Sequence, residues 1–156
     1  ACNSQMLGCF SPMHACIDNF IHTYAGVELR LKMHEIMAKQ GHEEETGKAK
    51  ITSGYNLPAK YILHTVGPII QWEVTKEDEA LLASCYRECL KLAADTGVES
   101  IAFCCLSTGV FRFPQERAAE IATNTVKQYL DKDGRIKKVI FNVFKDEDLK
   151  IYNGLL

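Results

Sequence analysis

The chain has 156 residues, the length of one domain with a hydrophobic core of its own. A hydrophobic fraction of 47%, a charged fraction of 24% and only four prolines exclude disordered and fibrous classes. Eighteen basic against twenty acidic residues give a formal charge of -2, and no apolar run reaches the roughly 18 residues of a membrane span, so we expect neither nucleic acid nor a membrane as a partner.

The chain opens on a loop rather than on an element. Ala1 is not a methionine, and a segment containing Gly8 and Cys9 follows within a few residues. We therefore expect that at least one strand precedes Ala1 in the protein.

The first half of the chain predicts helix followed by strand. Apolar residues recur at helical spacing over residues 17–38 and break near residues 25–26, which predicts one helix or two. Residues 40–50 are polar and punctuated by glycine, which indicates a solvated connection. The short β-branched segment at 60–65, stopped by Gly67 and Pro68, predicts a strand.

The second half continues the alternation. Residues 75–94 predict a helix that Thr75 caps, and the apolar run 100–106 predicts a strand covered on both faces, central in its sheet. Pro114 opens another helix, residues 137–144 predict a strand, and residues 146–155 a closing helix. This order predicts an α/β fold with a mostly parallel sheet and a ligand site at the carboxyl ends of the strands.

The seven cysteines include no CxxC pair, and no secretory segment is visible. An odd number of cysteines argues against a disulfide framework and predicts a reducing, cytoplasmic environment. Cys85, Cys89, Cys104 and Cys105 lie in apolar patterns, so we expect them to be buried packing residues.

The sharpest local feature brings Cys9, His14 and Cys16 within eight residues, on a loop that leads into a helix. Two thiolates and an imidazole are a set that zinc prefers, and three protein ligands leave a fourth position for water or substrate. The alternative is two buried cysteines beside an unrelated histidine.

A second feature is the segment 107–111, Ser-Thr-Gly-Val-Phe, between a predicted strand and a predicted helix. Small residues at such a turn let backbone amides and the helix N-terminus approach a phosphate or diphosphate. The alternative is a plain turn in which Gly109 supplies a left-handed conformation.

Four polar residues near these features have two interpretations each. Asp18 is either a catalytic carboxylate or a cap of the first helix, and Asn3 either binds a sugar hydroxyl or stabilises a turn. His22 and His64 lie in apolar surroundings, where a core histidine is the ordinary interpretation.

A series of short motifs covers nearly the whole chain and resembles the macrodomain family, in order as well as in residues. The motifs are Ala1-Cys2-Asn3-Ser4, Leu7-Gly8-Cys9, Ile17-Asp18-Asn19-Phe20-Ile21-His22 with Ala25-Gly26, Ile51-Thr52-Ser53-Gly54-Tyr55-Asn56-Leu57-Pro58, His64-Thr65-Val66-Gly67-Pro68 and Leu106-Ser107-Thr108-Gly109-Val110-Phe111-Arg112-Phe113-Pro114. Within that family, the segment from Cys9 to Asp18 is similar to the bacterial zinc-containing macrodomains. These occur beside sirtuin-like ADP-ribosyltransferases and a lipoyl-carrier protein of the glycine-cleavage H type.

The resemblance implies one three-layer α/β/α macrodomain over residues 1–156, with a central mixed, mostly parallel sheet, and without the upstream strand and helical extension of that subgroup. It implies ADP-ribose binding in a cleft above the sheet and removal of mono-ADP-ribose from protein side chains. The implied partners are an ADP-ribosylated protein, such as the lipoyl carrier, and a sirtuin-like transferase.

The resemblance also implies roles for single residues. Asn3 would contact the distal ribose, beside a zinc ion held by Cys9, His14 and Cys16, and Asp18 would orient a water or a ribose hydroxyl or act as general base. The remaining ligand contacts would come from the backbone amides of Ser107, Thr108, Gly109 and Val110 on the diphosphate, Phe111 on the distal ribose and Phe144 on adenine. Many macrodomains carry a glycine-rich loop in place of Cys9 to Cys16, and Arg112 stands where a glycine is frequent.

Three functions follow from this pattern. The first is a zinc-dependent protein-ADP-ribose hydrolase, in which zinc polarises the scissile linkage or activates a water. The second is a module that binds ADP-ribose on a modified partner without turnover, and the third is a deacetylase of O-acetyl-ADP-ribose. A structural zinc with a fourth ligand from Asp18 or another segment is a further alternative.

Overall fold

The computed structural model describes all 156 residues as five helices and four strands. In chain order they are α1 (Ile17–Ala25), α2 (Val27–Gln40), β1 (Ala49–Ser53), β2 (Tyr61–Thr65), α3 (Lys76–Asp95), β3 (Ser100–Phe103), α4 (Gln115–Lys132), β4 (Lys138–Phe141) and α5 (Asp146–Leu155). Helices and strands are interspersed along the chain, so the predicted α/β class is confirmed. None of the helices combines the length and the apolar character that crossing a bilayer requires.

The break within the first helical segment is at Gly26, which ends α1 and starts α2. Its φ is 90°, in the left-handed region, and an added Cβ would lie 2.7 Å from the side-chain nitrogen of Asn56. Two helices at an angle are therefore required here, because only glycine accepts both the conformation and the close approach.

β1 is the element that the sequence pattern did not predict. It pairs antiparallel with β2, with Ala49 opposite Thr65 and Ser53 opposite Tyr61. The strand alternates apolar with polar residues too weakly to stand out, and its partner strand, rather than its own pattern, stabilises it.

β3 and β4 form a second, parallel ladder, with Ser100 opposite Lys138. The four strands thus make two two-stranded sheets instead of one continuous sheet, and a parallel bridge between Cys2 and Val66 adds the start of the chain to the first. In β3 burial alternates, since Ile101 and Phe103 are buried while Ser100 and Ala102 are exposed. The expected central strand, covered on both faces, is therefore covered on one face in this structure.

The main hydrophobic core lies where α3, α4 and α5 pack around β3. Its centre is formed by Tyr86 of α3, whose ring meets Phe103 at 5.0 Å between centroids. A smaller core, with Leu29 and Met33 of α2 and Ile62 of β2, holds the first two helices against the β1–β2 pair. Cys85 and Cys89 are buried as expected, whereas Cys104 and Cys105 are half-buried, and all seven cysteines are free thiols.

Candidate functional site

The loop between the start of the chain and α1 brings three potential metal ligands together. Cys9 Sγ lies 2.9 Å from His14 Nδ1, and the ligand atoms of Cys9, His14 and Cys16 all lie within 4.8 Å of one another. Both cysteines are half-buried and His14 is exposed. The prediction that these side chains converge is confirmed, and the cluster could hold a metal ion.

The two thiols of this cluster differ in acidity. The hydrogen bond with His14 lowers the pKa of Cys9 to about 7. Burial raises the pKa of Cys16, although its Sγ accepts a hydrogen bond of 3.4 Å from the backbone N–H of Asn19. Metals bind the thiolate and not the thiol, and the lowered pKa gives Cys9 a larger thiolate fraction at neutral pH than an ordinary cysteine has.

This loop folds around two left-handed residues and ends in a helix cap. Gly8 has φ 85° and Met13 has φ 61°, and Cys16 is the N-cap residue of α1. A Cβ on Gly8 would lie 2.7 Å from the ring of His22, so glycine is required where the chain crosses that ring. Because Cys16 fills the cap position, Asp18 is free for another role.

Asp18 and His22 form a buried pair on the inner face of α1. They are four residues apart, which places both side chains on the same side of the helix, and His22 Nε2 lies 3.6 Å from Asp18 Oδ1. Burial raises the pKa of Asp18 and lowers the pKa of His22. Both ring nitrogens of His22 are buried without a hydrogen-bond partner, which is uncommon in a purely structural histidine.

The ring of His22 is enclosed by other aromatic groups. Phe10 meets it edge-on at 5.5 Å between centroids, and His64 of β2 lies at 6.3 Å. The guanidinium of Arg30 sits over Phe10 at 4.1 Å, and His64 Nε2 lies 2.9 Å from Thr52 Oγ1. Sequence reasoning treated His22 as a core histidine; its spacing of four from Asp18 is the signal that identifies the pair.

Asn3 lies in a tight turn at the entrance of the same region. Its side chain is exposed, and Oδ1 accepts a hydrogen bond of 3.2 Å from the backbone N–H of Met6. The turn is fastened to the segment after α2, because Glu44 N–H donates to the Ser4 carbonyl and the Ser4 hydroxyl donates to Glu43. Asn3 therefore stabilises a turn, and its side-chain amide nitrogen has no hydrogen-bond partner within the protein.

The turn after β3 contains backbone N–H groups that have no hydrogen-bond acceptor within the protein. None of the five backbone N–H groups from Ser107 to Phe111 donates a hydrogen bond within the protein, while the turn is closed by Arg112 N–H to Gly109 and Phe113 N–H to Ser107. Ser107 and Arg112 both have left-handed φ, 63° and 61°. The conformation that sequence reasoning assigned to Gly109 is thus adopted by its neighbours, and strained residues of this kind cluster at functional sites.

The carboxyl end of β2 contacts both loops. His64 faces the ring of His22, and Gly67 lies against Ser107 so closely that any Cβ on Gly67 would overlap the serine hydroxyl. The hydroxyl of Ser107 is buried without a hydrogen-bond partner. The carboxyl end of β2 therefore lies between the His22 ring, against which the metal-ligand loop (residues 8–16) packs, and the turn after β3.

Two aromatic side chains, Phe144 and Trp72, are almost fully exposed. Phe144, between β4 and α5, is 97% exposed, so its ring is available for stacking, and Phe111 is half-buried. Trp72 is 92% exposed and lines a shallow groove with Ile69 and Val110. Sequence reasoning missed Trp72, although a single tryptophan in a polar stretch is a signal for a contact surface.

Comparison with known proteins gives consistent matches. The macro domain family matches residues 1–122. Two curated relatives, both named protein-ADP-ribose hydrolase, are 58% identical to this chain. The match to the protein from Treponema medium extends over 156 residues, 100% of this chain and 60% of that protein. The match to the protein from Staphylococcus aureus extends over 153 residues, 97% of this chain and 58% of that protein. The chain thus spans about 60% of the length of these curated relatives.

A solved structure agrees with the sequence matches. The Oceanobacillus iheyensis macrodomain with ADP superposes with a TM-score of 0.89 at 38% identity, and the match covers 99% of this chain and 78% of that one. This similarity confirms the predicted macrodomain fold and its α/β class, although the strands form two small sheets in place of the predicted central one.

Proposed function

The chain belongs to the macro domain family, and from its site we propose that the protein is a zinc-dependent hydrolase that removes mono-ADP-ribose from a modified protein side chain. The observation that carries the proposal is the convergence of Cys9, His14 and Cys16 directly ahead of the buried Asp18–His22 pair. The names of the relatives support the reaction class.

The donor set of the loop fits zinc. Two sulfur ligands and one imidazole nitrogen suit a borderline-soft cation, and the ligand atoms are already grouped. Three protein ligands are typical of catalytic rather than structural zinc sites. When bound there, zinc supplies Lewis acidity towards an oxygen of the distal ribose.

Asp18 is the residue that we propose to act on the reacting water. Its raised pKa brings the carboxyl group closer to the pH at which the protein works, which suits a general base. The His22 ring and the backbone N–H of Cys9 both oppose this rise in the pKa of Asp18. His22 Nε2 lies 3.6 Å from the carboxylate, close enough to influence its charge.

The rest of the ligand is bound by the turn after β3 and by flanking side chains. The free amides of Ser107, Thr108, Gly109 and Val110 are oriented for the diphosphate, since successive N–H groups near a helix N-terminus favour anions. Phe111 lies against the distal ribose, Asn3 donates its amide to a ribose hydroxyl, and Phe144 stacks on adenine.

The proposed substrate is a mono-ADP-ribosylated protein, with a lipoyl carrier of the glycine-cleavage H type as the first candidate. A sirtuin-like ADP-ribosyltransferase is the class of enzyme that would produce it. Both follow from the resemblance of the Cys9 to Asp18 segment to zinc-containing macrodomains.

The test is release of ADP-ribose from a mono-ADP-ribosylated protein by the purified enzyme, by the metal-stripped enzyme, and after zinc is restored. We expect release to fall on stripping and to return with zinc. His14→Ala should lose the zinc response, while His34→Ala, an exposed histidine on α2, should keep it. Unchanged release after stripping would exclude a catalytic zinc. Tight ADP-ribose binding without any release would make the protein a binding module.

A further inference from the structure

Asn19, in the first turn of α1, is hydrogen-bonded to both ends of the metal-ligand loop. Its side-chain Nδ2 donates to the carbonyls of Cys9, at 3.0 Å, and Ser11, at 3.3 Å. Its backbone N–H donates to Cys16 Sγ at 3.4 Å. One residue thus contacts the main chain at the first ligand and the sulfur of the last.

The loop has few other internal restraints. Within it, His14 N–H donates to the Ser11 carbonyl, Cys16 N–H donates to the His14 carbonyl, and Cys9 Sγ lies 2.9 Å from His14 Nδ1. The Cys9 carbonyl has no donor other than Asn19. The intervening residues 10–15 are exposed. The side chain of Asn19 therefore restrains the position of Cys9 relative to Cys16.

A carboxamide suits this position for a chemical reason. An amide nitrogen carries two hydrogens and can donate to two carbonyls at once, which neither a carboxylate nor an aliphatic side chain can do. Asparagine is otherwise a poor choice in a helix, since alanine has the higher helix propensity. Asn19 thus lowers the helix propensity of α1 relative to alanine, and its side chain restrains the metal-ligand loop.

We propose that Asn19 is a positioning residue of the metal site: it fixes Cys9 relative to Cys16 before metal binds. This role rests on the proposed zinc function. Groups that orient metal ligands contribute about 10- to 100-fold in metal affinity, because the loop does not have to be ordered when the ion binds. Asn19 touches neither the ion nor the substrate in this role.

The first measurement is zinc affinity by competition with a chromophoric chelator. Asn19→Ala is expected to bind zinc about 10- to 100-fold more weakly, while its thermal stability without metal stays equal or rises. Asn124→Ala, at an exposed asparagine of α4, is the matched control and should leave zinc affinity unchanged. In turnover at saturating zinc, Asn19→Ala should recover most of the wild-type kcat.

The second measurement does not use zinc. A monosubstituted arsenic(III) oxide condenses with two thiols, forming two As–S bonds and releasing one water, so it reports whether Cys9 and Cys16 are held close together. Metal-free Asn19→Ala should bind this probe more weakly than the wild type, with the site of addition located by mass spectrometry. The buried Cys85 and Cys89 should not react.

The two measurements separate the two proposals. If the wild type binds no zinc, the zinc-dependent function is wrong, and the arsenical comparison still decides the role of Asn19. If the wild type binds zinc and Asn19→Ala binds it as tightly, or if both proteins bind the arsenical equally, the positioning role is wrong.

Discussion

Replacing Gly8 by alanine tests the packing of the metal-ligand loop on His22. Gly8 has φ 85°, and a Cβ there would lie 2.7 Å from three ring atoms of His22, closer than side-chain carbons approach their neighbours. The ring cannot move aside easily, because it is buried and Phe10 and His64 lie against it.

Two contributions set the size of the effect. A left-handed conformation costs a residue with a Cβ about 1–2 kcal/mol. Overpacking of a buried group costs about 1–3 kcal/mol more, because side chains and backbone are forced from their preferred positions. The free energy of unfolding of Gly8→Ala should therefore fall by about 2–5 kcal/mol, less than the whole stability of a stable domain.

Gly41→Ala isolates the backbone contribution. Gly41 has φ 76°, also in the left-handed region, but nothing lies within 4 Å of its added Cβ. Urea unfolding of the two variants should show Gly8→Ala less stable than Gly41→Ala by about 1–3 kcal/mol, and ADP-ribose release should fall only in Gly8→Ala. Equal losses of stability in the two variants would show that His22 does not fill the space beneath the loop.

Three further outcomes concern single side chains. Asp18→Asn should lower the rate of ADP-ribose release at least about 100-fold in single-turnover assays. Its affinity for ADP-ribose, measured by calorimetry, should change little. An equal loss of rate and affinity would mean that Asp18 only binds ligand. Burial lowers the pKa of His64 from 6.5 to about 3. Between these pH values His64 is protonated in the unfolded chain and neutral in the folded protein, so the free energy of unfolding falls as the pH falls. The decrease is at most about 1.4 kcal/mol per pH unit. His64→Phe should remove that contribution from urea unfolding measured between pH 6.5 and 5, and an unchanged slope would contradict it. Thr75→Ala removes the capping box with Asp78 and should lower the free energy of unfolding by about 1 kcal/mol in the same assay, with no change counting against the cap.

Much of the fold can be predicted from the spacing of apolar residues and from the residues that begin or end a helix. The capping box at Thr75 placed the start of α3 correctly, and Gly26 marked the break between α1 and α2. β1 was missed because it is short, begins within the polar segment and buries the polar Thr52 while Ile51 stays half-buried. Its stability comes from pairing with β2. The strand at 100–106 was predicted too long, since the left-handed turn that begins near its end cannot be read from apolar residues.

The candidate site was accessible from the sequence only in part. The candidate metal ligands lie close together along the chain, so their spacing alone indicates a cluster, and the structure brings them together. The spacing of four between Asp18 and His22 indicates that they share one face of α1, but it does not show that this face is buried or that Gly8 and Phe10 lie against the His22 ring. Asn19 is likewise an ordinary polar residue in the sequence, and only the fold brings its amide to the carbonyls of Cys9 and Ser11.

The metal-ligand loop and Asp18 are coupled because both lie against the ring of His22. Gly8 crosses the His22 ring, Phe10 meets the same ring from the side, and His22 faces Asp18, so a shift of the loop displaces the carboxylate as well as the ligands. A fold selected for stability alone would not leave both nitrogens of a buried imidazole without partners, since each unpaired buried group costs about 1–3 kcal/mol. Functional sites are where proteins retain such costs. The unpaired ring of His22 beside Asp18 therefore marks this pair as part of a functional site, independently of the metal ligands.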